Sequence, residues 1–129
     1  MKRDIETRGD IERLLTDFYG IAMADNKIGH HFGGLNLEHH LPLIANFWEK
    51  ILLGNPVYFN NPLSFHQVLH AHSPLLPEHF AHWVAIFTAT VDRLFAGDTA
   101  DLAKARAQAV ANVLDQKLNS GVKIEKRTK

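Results

Sequence analysis

The chain of 129 residues contains no cysteine. That excludes a disulfide scaffold, a thiolate zinc site, an iron–sulfur cluster and a cysteine nucleophile, and it fits a reducing compartment. Net charge is also absent, with fourteen basic residues against fourteen acidic. No field is therefore available to gather nucleic acid or an anionic membrane surface, and neither is expected as a partner. Long apolar runs are missing as well. The most apolar stretch, residues 80–91, is interrupted by His82, Thr88 and Thr90 and falls far short of the roughly 20 residues that span a bilayer. The opening residues, Met1 to Arg8, are charged and lack the apolar segment of a secretory signal, so a cytoplasmic protein is expected. Period-two alternation is nowhere to be found, which removes strands from the reading and leaves an all-α class.

What is present is enough apolar material for one domain, expected over residues 1–121, with 122–129 as a disordered tail; hydrophobic residues make up 46% of the chain. A chain of this length buries roughly two-thirds of its unfolded surface and needs neither metal nor crosslinks to fold. Helical periodicity dominates. Ile11, Leu14, Leu15, Phe18 and Ala22 recur at spacings of three and four, predicting a helix over about 7–24 with Tyr19 beside its apolar stripe. A short helical turn over 27–34 ends in a bend at Gly33-Gly34. His40, Ile44, Phe47 and Ile51 share one face of a second helix. Because proline is tolerated in a first turn, Pro42 predicts its start near 38–41, with His40 at an end prone to fraying.

Asn61-Pro62 signals a short helix carrying His66 and His70, closed by Ser73-Pro74. Pro77-Glu78 opens the most apolar helix, with Phe80, Trp83, Val84, Phe87, Val91 and Leu94 on one face and Gly97 at its close. Asp98 or Thr99 then caps a last helix, whose expected core stripe is Leu102, Ala109, Val110, Val113, Leu114 and Leu118, ending at Asn119-Ser120-Gly121.

Histidine is the residue in excess: nine, at 30, 31, 39, 40, 66, 70, 72, 79 and 82. Histidines on amphipathic helices are more often structural than ligating, and that reading is assigned to His30, His31, His39, His79 and His82. Two chemistries compete for the rest. His66 and His70, one helical turn apart, could face one zinc ion with His72 or His40 completing the set. No His-Glu-x-x-His motif and no acidic residue within 60–77 accompanies them. A haem pocket instead needs one axial imidazole, an apolar cavity between helices and a few polar groups opposite. His66, lying between the stripes of 40–51 and 80–94, with Tyr19 and His40 across from it, meets those needs.

Several local patterns, in order, reinforce the second chemistry: Asp17-Phe18-Tyr19; His40-Leu41-Pro42 followed by Asn46-Phe47-Trp48; Asn61-Pro62-Leu63-x-x-His66; and Pro77-Glu78-His79-Phe80-x-x-Trp83, leading to Phe87 and Thr90-Val91-Asp92-x-Leu94-Phe95. Together they resemble the truncated haemoglobins of the third group over about Leu14 to Leu118. The resemblance implies a two-over-two helical sandwich enclosing haem b (iron protoporphyrin IX). It implies His66 as the proximal iron ligand, Tyr19, His40 and Trp83 as the distal set, Phe32 packed on the porphyrin and Ile44 closing the pocket. His70, in a His66-to-Pro77 segment longer than in the shortest members, would support the site or face a haem propionate. The ligands implied are oxygen, nitric oxide or carbon monoxide, with a reductase as protein partner. O–H and N–H donors from Tyr19 and Trp83 would each stabilise the partial negative charge of bound oxygen by about 1 kcal/mol.

Beside Pro42, His40 would swing between pocket and solvent, or bind the iron when no ligand is present. A dedicated enzyme consuming nitric oxide or peroxide, and a haem-free globin-like interaction module, are the alternative functions.

Overall fold

The computed structural model describes residues 2–32, 36–55 and 75–120. Four helices account for most of them: α1 (Arg8–Ala22), α2 (Leu37–Leu53), α3 (Pro77–Leu94) and α4 (Asp98–Asp115). A 3-10 turn, Gly29–Phe32, lies between α1 and α2, and a π turn, Gln116–Ser120, continues α4. No strand occurs among the described residues. The expected short helix with His66 and His70, and the tail from 121, lie outside them.

Helix α1 begins where Thr7 and Asp10 cap it reciprocally. The Thr7 hydroxyl accepts the Asp10 N–H at 3.2 Å, and the Asp10 carboxylate accepts the Thr7 N–H at 3.0 Å. Its expected apolar stripe is the buried one: Ile11, Leu14, Leu15, Phe18 and Ala22, with Tyr19 alongside. Asp10 is itself buried, and its carboxylate also receives the Arg3 guanidinium and the Glu6 N–H. The Arg3 bond, together with those backbone N–H groups, outweighs burial and lowers the Asp10 carboxyl to about 2. Because the folded value is depressed, the stability it contributes is present above the unfolded carboxyl range and lost as pH falls toward 2. Discounted for the exposed half of Arg3, that contribution is about 1 kcal/mol. Asp10→Asn is accordingly expected to flatten the loss of stability between pH 5 and pH 2 in urea titrations.

Helix α2 starts at Leu37, with the Asn36 side chain accepting the His39 N–H at 3.2 Å, and ends at Gly54, whose left-handed φ of 73° lets its N–H reach back to the Lys50 carbonyl. Pro42 thus sits a turn and a half inside the helix, deeper than the sequence reading placed it. Arg8 of α1 secures this stretch. Its Nη2 donates to the Pro42 carbonyl at 3.2 Å, and its Nη1 to Asn46 Oδ1 at 2.6 Å and Glu49 Oε1 at 2.8 Å. Those three residues lie at spacings of four and three, on one face. His40 is correspondingly part of a capped first turn rather than a frayed end, its own N–H bonded to the Asn36 carbonyl at 3.0 Å.

Helix α3 has Pro77 at its first position, and its start is held by His79, whose Nδ1 accepts the Leu76 N–H at 3.0 Å. Phe80, Val84, Phe87, Thr90 and Val91 are buried along it. The Thr90 hydroxyl, almost wholly enclosed, donates to the Ile86 carbonyl at 2.8 Å.

Two expectations for α4 are corrected. Its core face is an alanine row, Ala100, Ala103, Ala107 and Ala111, completed by Leu114, while Leu102 and Val113 are 36% and 49% exposed. Of the expected stripe, Leu114 is buried and Val110 packs against it, but the larger apolar residues Leu102 and Val113 face outward, because close approach to α3 selects small side chains at spacings of three and four. Nor does Asp98 or Thr99 cap the helix. The N-cap is Gly97, and the cap arrives from the far end of the chain, Asp4, whose carboxylate accepts the Thr99 and Ala100 N–H groups at 2.9 and 2.8 Å.

The helices pack α1 on α2, α1 on α3, α3 on α4 and α2 on α4, giving the two-over-two sandwich. One core, centred on Ile11, Phe18, Trp48, Phe87 and Val91, joins all four, and a smaller cluster of Leu75, Phe80, Val84, Ala111 and Leu114 fills the α3–α4 end. Trp83 packs against both clusters.

Candidate ligand-binding site

Phe18, fully buried in α1, is the hub at which the expected distal residues meet. Tyr19 packs edge-on against it at 5.0 Å between centroids, and Trp83 does the same at 5.8 Å. Trp83 also stacks on Phe87 at 5.7 Å, and Phe87 on Trp48 at 5.0 Å. Offset and edge arrangements at such distances are the favoured ones for aromatic pairs. The result is an aromatic layer drawn from three helices and carrying three polar tips, the Tyr19 hydroxyl and the indole N–H groups of Trp83 and Trp48.

Burial pushes the Tyr19 hydroxyl well above its ordinary range. At neutral pH it is therefore a protonated donor and not a phenolate. The indole N–H is a donor under all conditions. On α2, Leu41, Ile44 and Phe47 are half-buried against the same core, and Phe47 meets Trp48 edge-on at 5.5 Å. His40, half-buried in the first turn of α2, has its ring edge-on to His39 at 5.5 Å. Phe32 ends the 3-10 turn that follows α1. Of the predicted site residues, the structure thus brings Tyr19 and Trp83 together around Phe18 and places Ile44 on an adjoining wall. His66 and His70 lie outside the described residues.

A contact that the sequence reading missed borders this layer. His82 Nε2 lies 2.7 Å from Asp25 Oδ2, joining α3 to the turn after α1. The bond from His82 is the main reason the Asp25 carboxyl is held below its ordinary range. Fifty-seven residues separate the partners, and no local pattern announces them. Among the described residues, no group of three or more histidine and carboxylate side chains converges as a metal site, and no helix is long and apolar enough to cross a membrane.

No family model matches the chain. A curated relative, the group 3 truncated haemoglobin ctb of Campylobacter jejuni, is 26% identical over 118 residues, covering 87% of this chain and 91% of its own. The crystal structure of the group III truncated haemoglobin from Campylobacter jejuni superposes with a TM-score of 0.79 at 27% identity, spanning 92% of this chain and 95% of that one. Both matches run the length of the fold, and they agree with the motifs read from the sequence. By sequence and by structure alike, the chain is similar to truncated haemoglobins of the third group and shares their fold.

Proposed function

We propose that this chain binds haem b and, through it, reversibly binds oxygen or another diatomic gas such as nitric oxide or carbon monoxide. The observation that carries the reading is the pairing of two donor tips, Tyr19 and Trp83, on one buried aromatic hub in a chain related to haemoglobins. The donor set fits the group. A flat porphyrin needs apolar and aromatic walls, and a small polarised ligand needs one or two hydrogen-bond donors in a dry setting. Leu41, Ile44 and Phe47 offer the first, and Tyr19 and Trp83 the second.

When bound, haem supplies the iron at which a diatomic gas is held. His66 would hold that iron through an imidazole nitrogen, Phe32 and Ile44 would pack on the ring system, and His70 would stand toward a propionate. Tyr19, kept protonated by burial, donates its O–H toward the ligand, and Trp83 its N–H. His40, anchored in the first turn of α2, adds a third polar group on the distal side.

Absorption spectra of the purified protein with one equivalent of haemin test this reading. The expected result is a saturable Soret band that sharpens on binding, shifts on reduction and shifts again with carbon monoxide. Absence of a saturable band would overturn it and leave a haem-free module or a histidine metal site.

A further inference from the structure

We infer that His79 is a pH-sensitive latch on the start of α3, closed when its imidazole is neutral and released when it is protonated. The inference stands apart from the gas-binding reading and needs no haem. It begins with the residue before the helix. Helices favour Ser, Thr, Asp or Asn there, because a side-chain oxygen accepts an orphan N–H of the first turn. Before α3 stands Leu76, which has no such atom and whose side chain is 41% exposed. At the third helical position a capping box ordinarily places Glu or Gln, reaching back to the N-cap N–H. Here that position is His79, and its Nδ1 accepts the Leu76 N–H at 3.0 Å.

A ring in place of a carboxylate changes when the cap works. A backbone N–H only donates, so the ring nitrogen facing it must be unprotonated, whatever else the ring meets. A glutamate would keep accepting down to about pH 4, whereas histidine ordinarily takes up its proton near about 6.5. Protonation places a hydrogen on Nδ1, opposes it to the Leu76 N–H, and leaves a cation at a helix N-terminus, where the helix dipole disfavours it. The surrounding groups do not offset this. His30, in the turn after α1, lies edge-on to His79 at 5.8 Å and is itself a base. Asp25, on the same segment, meets His82 at 2.7 Å. At the α4 end Asp115 accepts Asn119 Nδ2 at 2.6 Å, and Lys117 is a cation. Glu78, the neighbour of His79 along α3, is solvent-exposed, where an ion pair is worth little.

What the latch holds is a joint. Leu76 and His79 bond reciprocally, since the Leu76 carbonyl accepts the His79 N–H at 2.9 Å and also the Phe80 N–H at 3.3 Å. One residue earlier, the carbonyl of the buried Leu75 accepts Asn119 Nδ2 at 3.0 Å, from the turn that continues α4. The side-chain amide of Asn119 does not titrate, so release at His79 frees the α3 side of the joint and leaves the α4 side attached. Residue 75 follows the stretch that contains His66 and His70, and Trp83 comes four residues after His79. The latch thus stands in the chain between the expected axial ligand and an expected donor.

The test is exchange of the Leu76 amide hydrogen with water in the full chain, followed by NMR and divided by the intrinsic rate at each pH, with the His79 ring nitrogens read alongside. Protection of that amide is expected to fall about fivefold between pH 8 and pH 5.5, the loss of one cap, in step with protonation of His79. His79→Gln, whose side-chain oxygen accepts without titrating, is expected to keep its protection at both pH values, and His79→Ala to lack it at both. Carboxylates with ordinary titration stay ionised through this window and do not contribute. Equal protection of the parent amide at the two pH values would overturn the latch. A proton found on Nδ1 at pH 8 overturns it too, as does a fall that persists in His79→Gln and therefore belongs to another histidine. If either variant fails to fold, the ring nitrogens and the Leu76 amide of the parent decide the matter by themselves.

Discussion

Replacing His66 by alanine is expected to abolish stable haem uptake, whereas His70→Ala retains it. The resemblance implies His66, five residues after Asn61, as the axial ligand, and an imidazole nitrogen on iron would be a coordination bond for which an alanine methyl offers no substitute. His70, four residues on in the sequence, would interact only with a solvated propionate, a contact worth on the order of 1 kcal/mol or less. The two variants should therefore diverge in haemin titrations: the Soret band of His66→Ala stays broad and unsaturable, as for free haemin, while His70→Ala saturates at one equivalent with a modestly faster haem loss. Stoichiometric binding by His66→Ala together with failure of His70→Ala would transfer the axial role to His70. Free imidazole offers a further check, since it is expected to restore saturable haem binding to His66→Ala by standing in for the missing side chain.

The second large effect is on stability, and it lies far from the iron. Gly97 precedes α4 with φ 142° and ψ −173°, a conformation that side chains rarely adopt, and a Cβ there would stand 2.5 Å from the Asp4 Cγ. Asp4 occupies that space because its carboxylate accepts the Thr99 and Ala100 N–H groups and its own neighbour Ile5 N–H. These bonds, working against the partial burial of the group, keep the Asp4 carboxyl below its ordinary range. Gly97→Ala is expected to lower unfolding free energy by about 3 kcal/mol, combining backbone strain with displacement of the cap. Asp4→Ala alone should lower it by about 1 kcal/mol. Because removing Asp4 also removes the obstacle, the double variant should be less destabilised than the sum of the singles. Urea unfolding of the four proteins measures all three quantities, and strict additivity would show that the clash with Asp4 is not the cause.

These contacts mark where the sequence was legible and where it was not. Helix α1 was legible because its apolar stripe is local, with about 7–24 expected against Arg8–Ala22 observed, although the Thr7–Asp10 cap was not singled out. Tyr19 and Trp83 were singled out through motif order, and in the structure both rings pack on Phe18, a residue the sequence reading assigned to the core. The start of α2 was placed slightly late because Pro42 was expected within the first turn, whereas the Asn36 cap begins the helix at Leu37. Asp4 capping α4 and Asp25 meeting His82 are contacts between residues 95 and 57 positions apart. Nothing in local spacing encodes such pairings, and for that reason His82 was assigned a bland structural role. On α4 the expected stripe caught Leu114 and Val110, which pack in the core, but included the exposed Leu102 and Val113 and missed the alanine row, because hydrophobicity rewards size while the interface with α3 rewards its absence.

That alanine row has a mechanical meaning. Where two helices meet through long side chains, rotamer changes absorb small displacements. Where one presents little more than methyl groups, its backbone bears directly on the partner. Helix α4 therefore acts as a stiff backing plate behind Phe87 and Val91, with few soft degrees of freedom between it and the aromatic layer. A shift of α4 by a few tenths of an ångström, even one imposed at Gly97, would be passed on to Trp83 almost undamped, so the compliance of the aromatic layer is set by a helix that contributes no ring to it.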